Sequence, residues 1–333
     1  MKNLASLLAC PVCKNEVKVL DDVASCARCN IDFPHRGRVF KFICCEMYGS
    51  PEEFNNSQRI IDFWGNGWAK RLRQPDHNFV YELSPDRLRD YASVQRRRYE
   101  DRGSLMGTEL DLSSIEGKVG LNIGCGAGTE SLVLTVFGAD CIAMDITSEA
   151  ASAADQLIKT VGGAGFGIQG DARFLPARKS ALDFVFSNGV LHHSPDIMRS
   201  IEEIHRVLKP GGTACIMLYA KWSSQFLQER MRGILKGNIT PKKQKEFINS
   251  HTEAAWKTES QHNPLTDLFT VAACRKLFRN FKKVLIRKSD FRVSEVALLN
   301  RLLPLKIQNS LNDRLSPLLE SYLGGSISIK AEK

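Results

Sequence analysis

The sequence predicts a doubly wound α/β fold, in which helices cover both faces of a largely parallel sheet, preceded by a small cysteine-rich module. Three observations support this prediction. From about residue 117 onward, short apolar runs alternate with amphipathic runs. The first of these apolar runs is followed at once by a turn that contains Gly124, Gly126 and Gly128. Before residue 45, four cysteines occur as two Cys-x-x-Cys pairs, a spacing typical of a metal-binding ribbon.

Seven strands are predicted in the main domain from runs of apolar and β-branched residues. They cover residues 120–123, 140–144, 165–169, 182–187, 213–218, 282–286 and 326–331. Helices are expected between the first five strands. Because ligands of doubly wound sheets bind beyond the carboxyl ends of the strands, we expect the functional residues to follow these runs.

The turn after the first strand has the composition of a site for a nucleotide-type cofactor. Glycines adopt φ values that other residues rarely adopt, and they bring backbone N–H groups against a ligand at a helix N-terminus. Asp145 ends the second predicted strand, 21 residues after Gly124, where a ribose hydroxyl needs an acceptor. A tight strand-to-helix connection without a ligand is the alternative interpretation of the glycines alone.

Two later segments, GDARFLPARKSALDFVFSNGVLHHSPD and IHRVLKPGGTACIMLY, extend this pattern. Together with the glycine turn they resemble the motifs of class I S-adenosylmethionine-dependent methyltransferases, in the type 11-like branch that carries a Leu-His-His element after the fourth strand. The resemblance covers about residues 117–220. It implies a Rossmann-like, seven-stranded methyltransferase sheet whose last strand runs antiparallel.

The same resemblance implies S-adenosylmethionine as the cofactor and places its contacts at the strand ends. The predicted cofactor-binding residues are Asn122, Gly124, Cys125, Gly126, Gly128, Asp145, Ile146, Asp171, Ala172, Ser187, Asn188 and Gly189. Asp171 lies where the family has a carboxylate on the adenine amino group, although a role as a turn former is the alternative. Asn122 departs from the family, which often has an acidic residue there, and an amide brings no negative charge to the cofactor amino group.

His192 and His193 are the candidate catalytic bases, because an imidazole just past the fourth strand is mostly neutral at pH 7. Orienting the cofactor and capping the next helix are the alternative roles for this pair.

Four further residues are candidates for contact with the substrate. Trp64 and Trp68 supply an apolar lid or a face for a substrate cation, with aromatic packing between helices as the alternative. Tyr219 ends the fifth strand, and His262 precedes a predicted helix.

The N-terminal cysteines have the spacing of a structural zinc site. Cys10 and Cys13 form one Cys-x-x-Cys pair, Cys26 and Cys29 form the second, and 12 residues separate the pairs. Two such pairs complete a tetrahedral shell of four thiolates with no open position for catalysis; a buried or disulfide-bonded set is the alternative. The following segment NIDFPHRGRVFKFI resembles the end of the zinc ribbon in activator subunits of tRNA and protein methyltransferases.

These features predict three regions along the chain. Residues 1–45 form the zinc ribbon, residues 46–116 a helical connecting or cap region, and residues 117–333 the methyltransferase domain. Insertions at about 221–263 and 290–323 are predicted to act as lids.

The charge distribution bears on the partners. Residues 221–289 contain 15 Lys and Arg against 5 Asp and Glu, while the whole chain has a net charge of +9. Such a basic region can face an anionic small molecule, a carrier-bound substrate or RNA. No apolar run reaches the roughly 18–20 residues that cross a bilayer, so we expect a cytoplasmic protein. Apolar residues at helical spacing in 293–322 suggest core packing or a homodimer surface, with an apolar acceptor pocket and membrane association as the alternatives.

The sequence therefore predicts a methyltransferase that acts on an oxygen, nitrogen or carbon nucleophile of a small-molecule or carrier-bound metabolite. RNA methylation, of rRNA or tRNA, is the first alternative. The second is a non-catalytic scaffold that binds the cofactor and acts on a partner through the zinc ribbon.

Overall fold

One mixed β-sheet runs through the chain. The computed structural model describes residues 4–20, 22–36, 39–101, 103–235, 237, 263–291 and 304–333. Within these residues the strands join in the order β1-β2-β3-β4-β7-β6-β5-β8-β9-β11-β10. The strands are β1 (Lys18–Val19), β2 (Val23–Cys26), β3 (Ile31–Arg36), β4 (Val39–Lys41), β5 (Val119–Ile123), β6 (Asp140–Asp145), β7 (Phe166–Gln169), β8 (Leu182–Asn188), β9 (Leu208–Tyr219), β10 (Lys283–Ser289) and β11 (Ser326–Glu332).

Helices cover the sheet and the edge where the strands end. In the described residues they are α1 (Pro51–Arg71), α2 (Pro75–Asn78), α3 (Pro85–Asp101), α4 (Leu105–Thr108), α5 (Thr129–Val136), α6 (Ser148–Thr160), α7 (Ile197–Val207), α8 (Ser224–Leu235), α9 (Val271–Leu277) and α10 (Leu305–Leu323). Short 3-10 turns occur at Leu4–Leu7, Cys45–Met47, Phe79–Glu82, Leu112–Ser114, Ala172–Phe174 and Leu191–His193.

The predicted doubly wound fold is confirmed. Strands β7, β6, β5, β8 and β9 are parallel, and β11 runs antiparallel between β9 and β10. All five residues of the central strand β5 are buried, as expected for a strand with helices on both faces. The strand order reverses at β5, so the loops after β5 and β8 open a crevice at their carboxyl ends.

The fifth strand of this sheet differs from its prediction at one end. β9 begins at Leu208, five residues before the predicted start at Thr213, because Leu208 already pairs with Leu182. The register shifts between Leu182 and Phe184, which accommodates the turn at Gly211, a residue with φ of 76°.

The cysteine-rich module continues the main sheet. Its strand β4 pairs in parallel with β7, with Phe40 opposite Ile168 and Lys41 opposite Gln169. The next residue, Phe42, donates its backbone N–H to the Gln169 carbonyl at 2.8 Å. Buried side chains of the module and of the parallel strands form one hydrophobic cluster. The module is therefore packed as part of the sheet.

Helix α1 carries the connecting region across the strand ends. Ser50 caps its N-terminus by accepting a hydrogen bond from the Glu53 N–H, and Pro51 occupies the first turn, where no intrahelical donor is needed. The acidic first turn and basic last turn complement the helix dipole. The C-terminal half of α1 brings Trp64 and Trp68 to the crevice.

Among the residues that the structure describes, none of the helices combines the length and the apolar composition required to cross a bilayer. Helix α10 nevertheless presents large apolar side chains to solvent, including Leu318 and Tyr322.

We predict that Phe42→Ala destabilises the whole protein and not the N-terminal module alone. Phe42 is fully buried, its ring lies 4.9 Å from that of Phe33, and it belongs to the shared cluster. Loss of a buried phenylalanine costs about 3–5 kcal/mol. Denaturant unfolding followed by far-UV and near-UV signals should show one transition at lower denaturant, whereas the exposed Leu20→Ala should leave the midpoint almost unchanged. A separate early transition confined to the module would contradict the shared core.

Candidate cofactor and active site

The four paired cysteines converge at one point. Their sulfur atoms all lie within 4.8 Å of one another, with 4.0 Å between Cys10 Sγ and Cys29 Sγ and 3.5 Å between Cys13 Sγ and Cys26 Sγ. Four thiolates at the Zn–S distance of about 2.3 Å around a tetrahedral ion lie roughly 3.8 Å apart, so the donor set and spacing fit zinc.

The backbone after each pair explains this convergence. Lys14 follows the first pair and Asn30 the second, and both have left-handed φ values, 64° and 53°. The Lys14 N–H donates to the Cys10 carbonyl at 2.9 Å. Each pair is thus turned into a tight loop that directs its two sulfur atoms to the same side.

A cavity of about 580 Å³ lies at the carboxyl ends of the parallel strands. Its floor is built by the segments 123–127, 144–146, 170–172 and 188–191, which follow β5, β6, β7 and β8. Helix α1 contributes a second wall. The cavity is therefore at the crevice where a doubly wound sheet binds its ligand.

The glycine loop needs its glycines for two different reasons. Gly126 has φ of 51°, and a Cβ atom there would lie 2.6 Å from the Trp68 ring. Gly128 has φ of 81°, and its Cβ would lie 2.6 Å from the Ala154 Cα on helix α6. Gly126 lines the cavity, whereas Gly128 permits close packing of α5 on α6.

Asp145 holds this loop in place from the end of β6. Its Oδ2 accepts the Gly126 N–H at 3.1 Å, and its Oδ1 accepts the Thr147 N–H and hydroxyl at 2.9 and 2.8 Å. Burial raises the pKa of the Asp145 carboxyl, while these hydrogen bonds act in the opposite direction. Asp145 lines the cavity, as expected for an acceptor of ribose hydroxyls.

Asp171 also lines the cavity, but its carboxylate is committed to the protein. It caps the 3-10 turn by accepting the Arg173 N–H at 2.9 Å, and its Oδ2 accepts from Arg173 Nη2 at 2.6 Å and from the Tyr48 hydroxyl at 3.2 Å. Arg173 continues the network to Ser57 and Glu53 on helix α1. The contacts correspond to the turn-forming interpretation of Asp171 and leave its contact with adenine a prediction.

Nine of the twelve predicted cofactor-binding residues line the cavity, and three do not. The nine are Gly124, Cys125, Gly126, Asp145, Ile146, Asp171, Ala172, Asn188 and Gly189. Asn122 and Ser187 are fully buried beneath the floor, and Gly128 lies against α6. These three residues therefore have no surface at the cavity, and Asn122 instead donates a hydrogen bond to Ser131 of α5.

The two histidines have different surroundings. His193 lines the cavity, and its Nδ1 lies 2.8 Å from the Leu265 carbonyl oxygen. Since a carbonyl accepts only, Nδ1 carries the proton in the neutral ring and Nε2 is the acceptor nitrogen. His192 has no exposed surface and stacks on Tyr219 with ring centroids 3.8 Å apart. Burial lowers the pKa of His192 well below its usual value.

His192 does not line the cavity and has no exposed surface, so its role as a base stays a prediction. Of the predicted pair, His193 is the one that lines the cavity.

Three of the four predicted substrate contacts lie at the cavity: Trp64, Trp68 and Tyr219. The Trp64 ring lies 5.0 Å from that of His193, which in turn is 6.1 Å from that of Tyr219. The rings of Trp64, His193 and Tyr219 thus form an aromatic wall of the cavity, whereas the Trp68 ring lies against Gly126 of the glycine loop. His262 lies outside the described residues, as do parts of both predicted lid insertions.

Several lining residues were not identified from the sequence. Glu130, Arg71, His77 and Tyr99 all reach the cavity. Glu130 follows the glycine loop by two residues, and an acidic side chain in the first turn of a helix is ordinarily interpreted as a complement to the dipole. The other three belong to the connecting region, where no motif marks which face of a helix meets the strands.

We predict that Arg173→Ala strongly destabilises the protein. Arg173 and Asp171 are both almost fully buried, and removing one partner of a buried ion pair leaves an uncompensated charge that costs about 3–5 kcal/mol. Urea unfolding measures the change. The control Arg178→Ala removes an exposed arginine whose Nη1 lies 3.7 Å from Glu16 Oε2. Its loss should lower the free energy of unfolding by less than about 1 kcal/mol. Equal costs in both variants would contradict the network.

Comparison with known proteins agrees with this geometry. Residues 121–216 match a family model described as a methyltransferase domain. The bifunctional biotin biosynthesis protein BioHC of Cellvibrio japonicus is 38% identical over 96 residues, which is 29% of this chain and 18% of that protein. The tRNA (carboxymethyluridine(34)-5-O)-methyltransferase ALKBH8 of Macaca fascicularis is 35% identical over 85 residues, 25% of this chain and 12% of that protein.

Demethylmenaquinone methyltransferase of Staphylococcus epidermidis is 30% identical over 96 residues, 29% of this chain and 39% of that protein. The chain thus spans less than half the length of these curated relatives. The matched segment runs from β5 to β9 and includes every strand whose end forms the floor of the cavity. Residues 121–216 of this chain therefore form a methyltransferase domain.

Proposed function

We propose that this protein transfers the methyl group of S-adenosylmethionine to an oxygen, nitrogen or carbon nucleophile of a small-molecule or carrier-bound metabolite. The observation that carries the proposal is one cavity that is lined by two unlike groups of residues. The glycine loop and Asp145 form one group, and the aromatic wall with His193 forms the other. A donor and an acceptor can meet between them.

The donor side matches the chemistry of an adenosyl sulfonium. Asp145 supplies a carboxylate to the ribose hydroxyls, and the loop brings the backbone of Gly124 and Gly126 to the methionine part. Val190 and Leu191, which also line the cavity, supply apolar surface for the adenine ring.

The acceptor side supplies position and a proton acceptor. Methyl transfer from a sulfonium requires in-line placement of the nucleophile and exclusion of water. The rings of Trp64 and Tyr219 can do both. Where the nucleophile carries a proton, Nε2 of His193 is suited to accept it, because its hydrogen-bonded Nδ1 fixes the tautomer.

The cavity favours a small acceptor group over a folded macromolecule. Its volume suits a donor together with a small molecule or the end of a carrier-bound chain, and two of the relatives act in biotin biosynthesis and on demethylmenaquinone by their names. Arg71 at the wall supports an anionic group on the acceptor. The tRNA methyltransferase among the relatives keeps RNA as the alternative, and the basic segment around Lys242 that bears on it lies outside the described residues.

The four cysteines are proposed to hold one structural zinc ion, and α10 to provide a homodimer surface. The sulfur spacing supports the first, and the exposed Leu318 and Tyr322 support the second. A closed shell of four thiolates stabilises the fold without taking part in the reaction.

A radioactive methyl donor tests the acceptor class. Label should pass from the donor into small-molecule or carrier-bound fractions of a cell extract and resist ribonuclease. Label recovered in RNA, with incorporation that falls steeply as salt rises, would favour the alternative. Binding of the donor with no transfer to any fraction would favour a scaffold.

We predict that Gly126→Arg abolishes binding of S-adenosylhomocysteine in calorimetry. The new side chain starts 2.6 Å from the Trp68 ring and must occupy the space of the donor.

Gly117→Arg is the matched control for this variant. Gly117 also has a positive φ, but no atom lies within 4 Å of its Cβ position, and it is outside the cavity. It should carry the same backbone strain and bind the ligand normally. If Gly126→Arg bound as tightly as the control, the cofactor would not occupy this loop.

We predict that the double variant Cys10→Ser with Cys13→Ser loses its metal. Elemental analysis of the wild type should give about one zinc per chain, and the variant should give almost none and melt at a lower temperature. Cys45→Ser, which removes an exposed thiol outside the cluster, should keep the metal. Wild-type protein that folds equally well after complete chelation would contradict a structural role.

A further inference from the structure

Strand β5 lacks the acidic side chain that the resembled family often has at position 122. Asn122 stands at that position, has no exposed surface, and donates through Nδ2 to the Ser131 hydroxyl at 2.9 Å. Its amide therefore supports the first turn of α5 from below and does not reach the cavity. If no other acid compensated, the ammonium group of the donor's methionine part would lack a carboxylate partner.

Glu130 provides a carboxylate at the same end of the cavity. It lies in the first turn of α5, next to Ser131, and lines the cavity beside the glycine loop. Asn188, at the end of β8, donates its Nδ2 to Glu130 Oε1 at 2.8 Å. The carboxylate is thus held between the loop after β5 and the end of β8, two of the segments whose residues are predicted to bind the cofactor.

The three acids of the cavity differ in what balances their charge. Asp145 accepts hydrogen bonds from Gly126 and Thr147, and Asp171 is paired with Arg173. Glu130 receives, within the described residues, one hydrogen bond from a neutral amide and has no ion-pair partner. Burial raises the pKa of Glu130 to about 6, so the group is still largely ionised at neutral pH. A partly desolvated carboxylate of this kind is stabilised by a cation that enters the cavity.

We propose that Glu130 binds the α-ammonium group of the methyl donor, in place of the acidic side chain that position 122 lacks. Asn188 positions the carboxylate through its amide. This inference rests on the proposed function, because it assigns a contact within the donor site. It also changes an expectation from the sequence: the amide at position 122 does not leave the donor's ammonium without a negative partner.

Two ligands that differ in the amino-acid group test this assignment. S-adenosylhomocysteine carries the ammonium and carboxylate, whereas 5′-methylthioadenosine keeps the adenosine and the sulfur but has neither. Glu130→Gln preserves the shape of the side chain and removes its charge. It should lower the affinity for S-adenosylhomocysteine by about tenfold or more, as expected for loss of a charge-assisted hydrogen bond. Binding of 5′-methylthioadenosine should change by less than about twofold, since that ligand makes no contact with the missing charge.

Matched variants separate this role from a structural one. Glu116→Gln removes an exposed carboxylate outside the cavity and should bind both ligands as the wild type does. Glu130→Asp keeps the charge on a shorter side chain and should recover part of the lost affinity. Thermal melting of each variant checks that the fold is retained.

If Glu130→Gln lowered the affinity for both ligands equally, the assignment would be overturned. Unchanged affinity for S-adenosylhomocysteine would also overturn it. A variant that binds both ligands normally but turns over slowly would place Glu130 on the acceptor side and also overturn it. Failure of the wild type to bind S-adenosylhomocysteine would instead refute the proposed function, so the two failures are distinguishable.

Discussion

The hydrogen bond between the Gly126 N–H and the buried Asp145 carboxylate is the interaction on which the candidate site depends. It ties the loop after β5 to the end of β6. The same loop is held from below, since the N–H groups of Gly124 and Cys125 both donate to the Met144 carbonyl. A loop fixed at these points keeps its shape without a ligand, and preorganised dipoles need not be rearranged when the ligand arrives.

The N-terminal module is connected to the candidate site by the chain that follows β4 and by side chains that pack in a shared core. Strand β4 extends the sheet beside β7, and the chain then leads within a few residues to Tyr48, whose hydroxyl donates to Asp171 at the cavity. Arg173 joins this carboxylate to helix α1. The cysteine-rich module gains stability from this arrangement, because its buried side chains complete a core too large for the module to form alone.

The titratable side chains around the cavity differ in the partners that the protein itself supplies. Asp145 and Asp171 are balanced by groups of the protein, and His192 is kept neutral by burial against Tyr219. His193 and Glu130 also line the cavity; Nδ1 of His193 lies against a backbone carbonyl, and Glu130 has no ion-pair partner in the described part of the chain. His193 belongs to the aromatic wall and Glu130 to the first turn of α5, so the proposed proton acceptor and the proposed partner of the donor's ammonium group lie on different elements.

The sequence by itself determined the succession of strands along the chain, the glycine loop, the acid at the end of β6 and the cysteine pairs, because each depends on local spacing: backbone conformation, strand ends and paired thiols are properties of a few adjacent residues. It did not determine that β4 would join β7, that His192 would be buried behind His193, or that Glu130 would face the cavity while Asn122 would not. Those features depend on which faces of distant segments meet. The alternation along a strand and the rotation around a helix place a side chain only once its neighbours are packed, so the tertiary structure alone decided them.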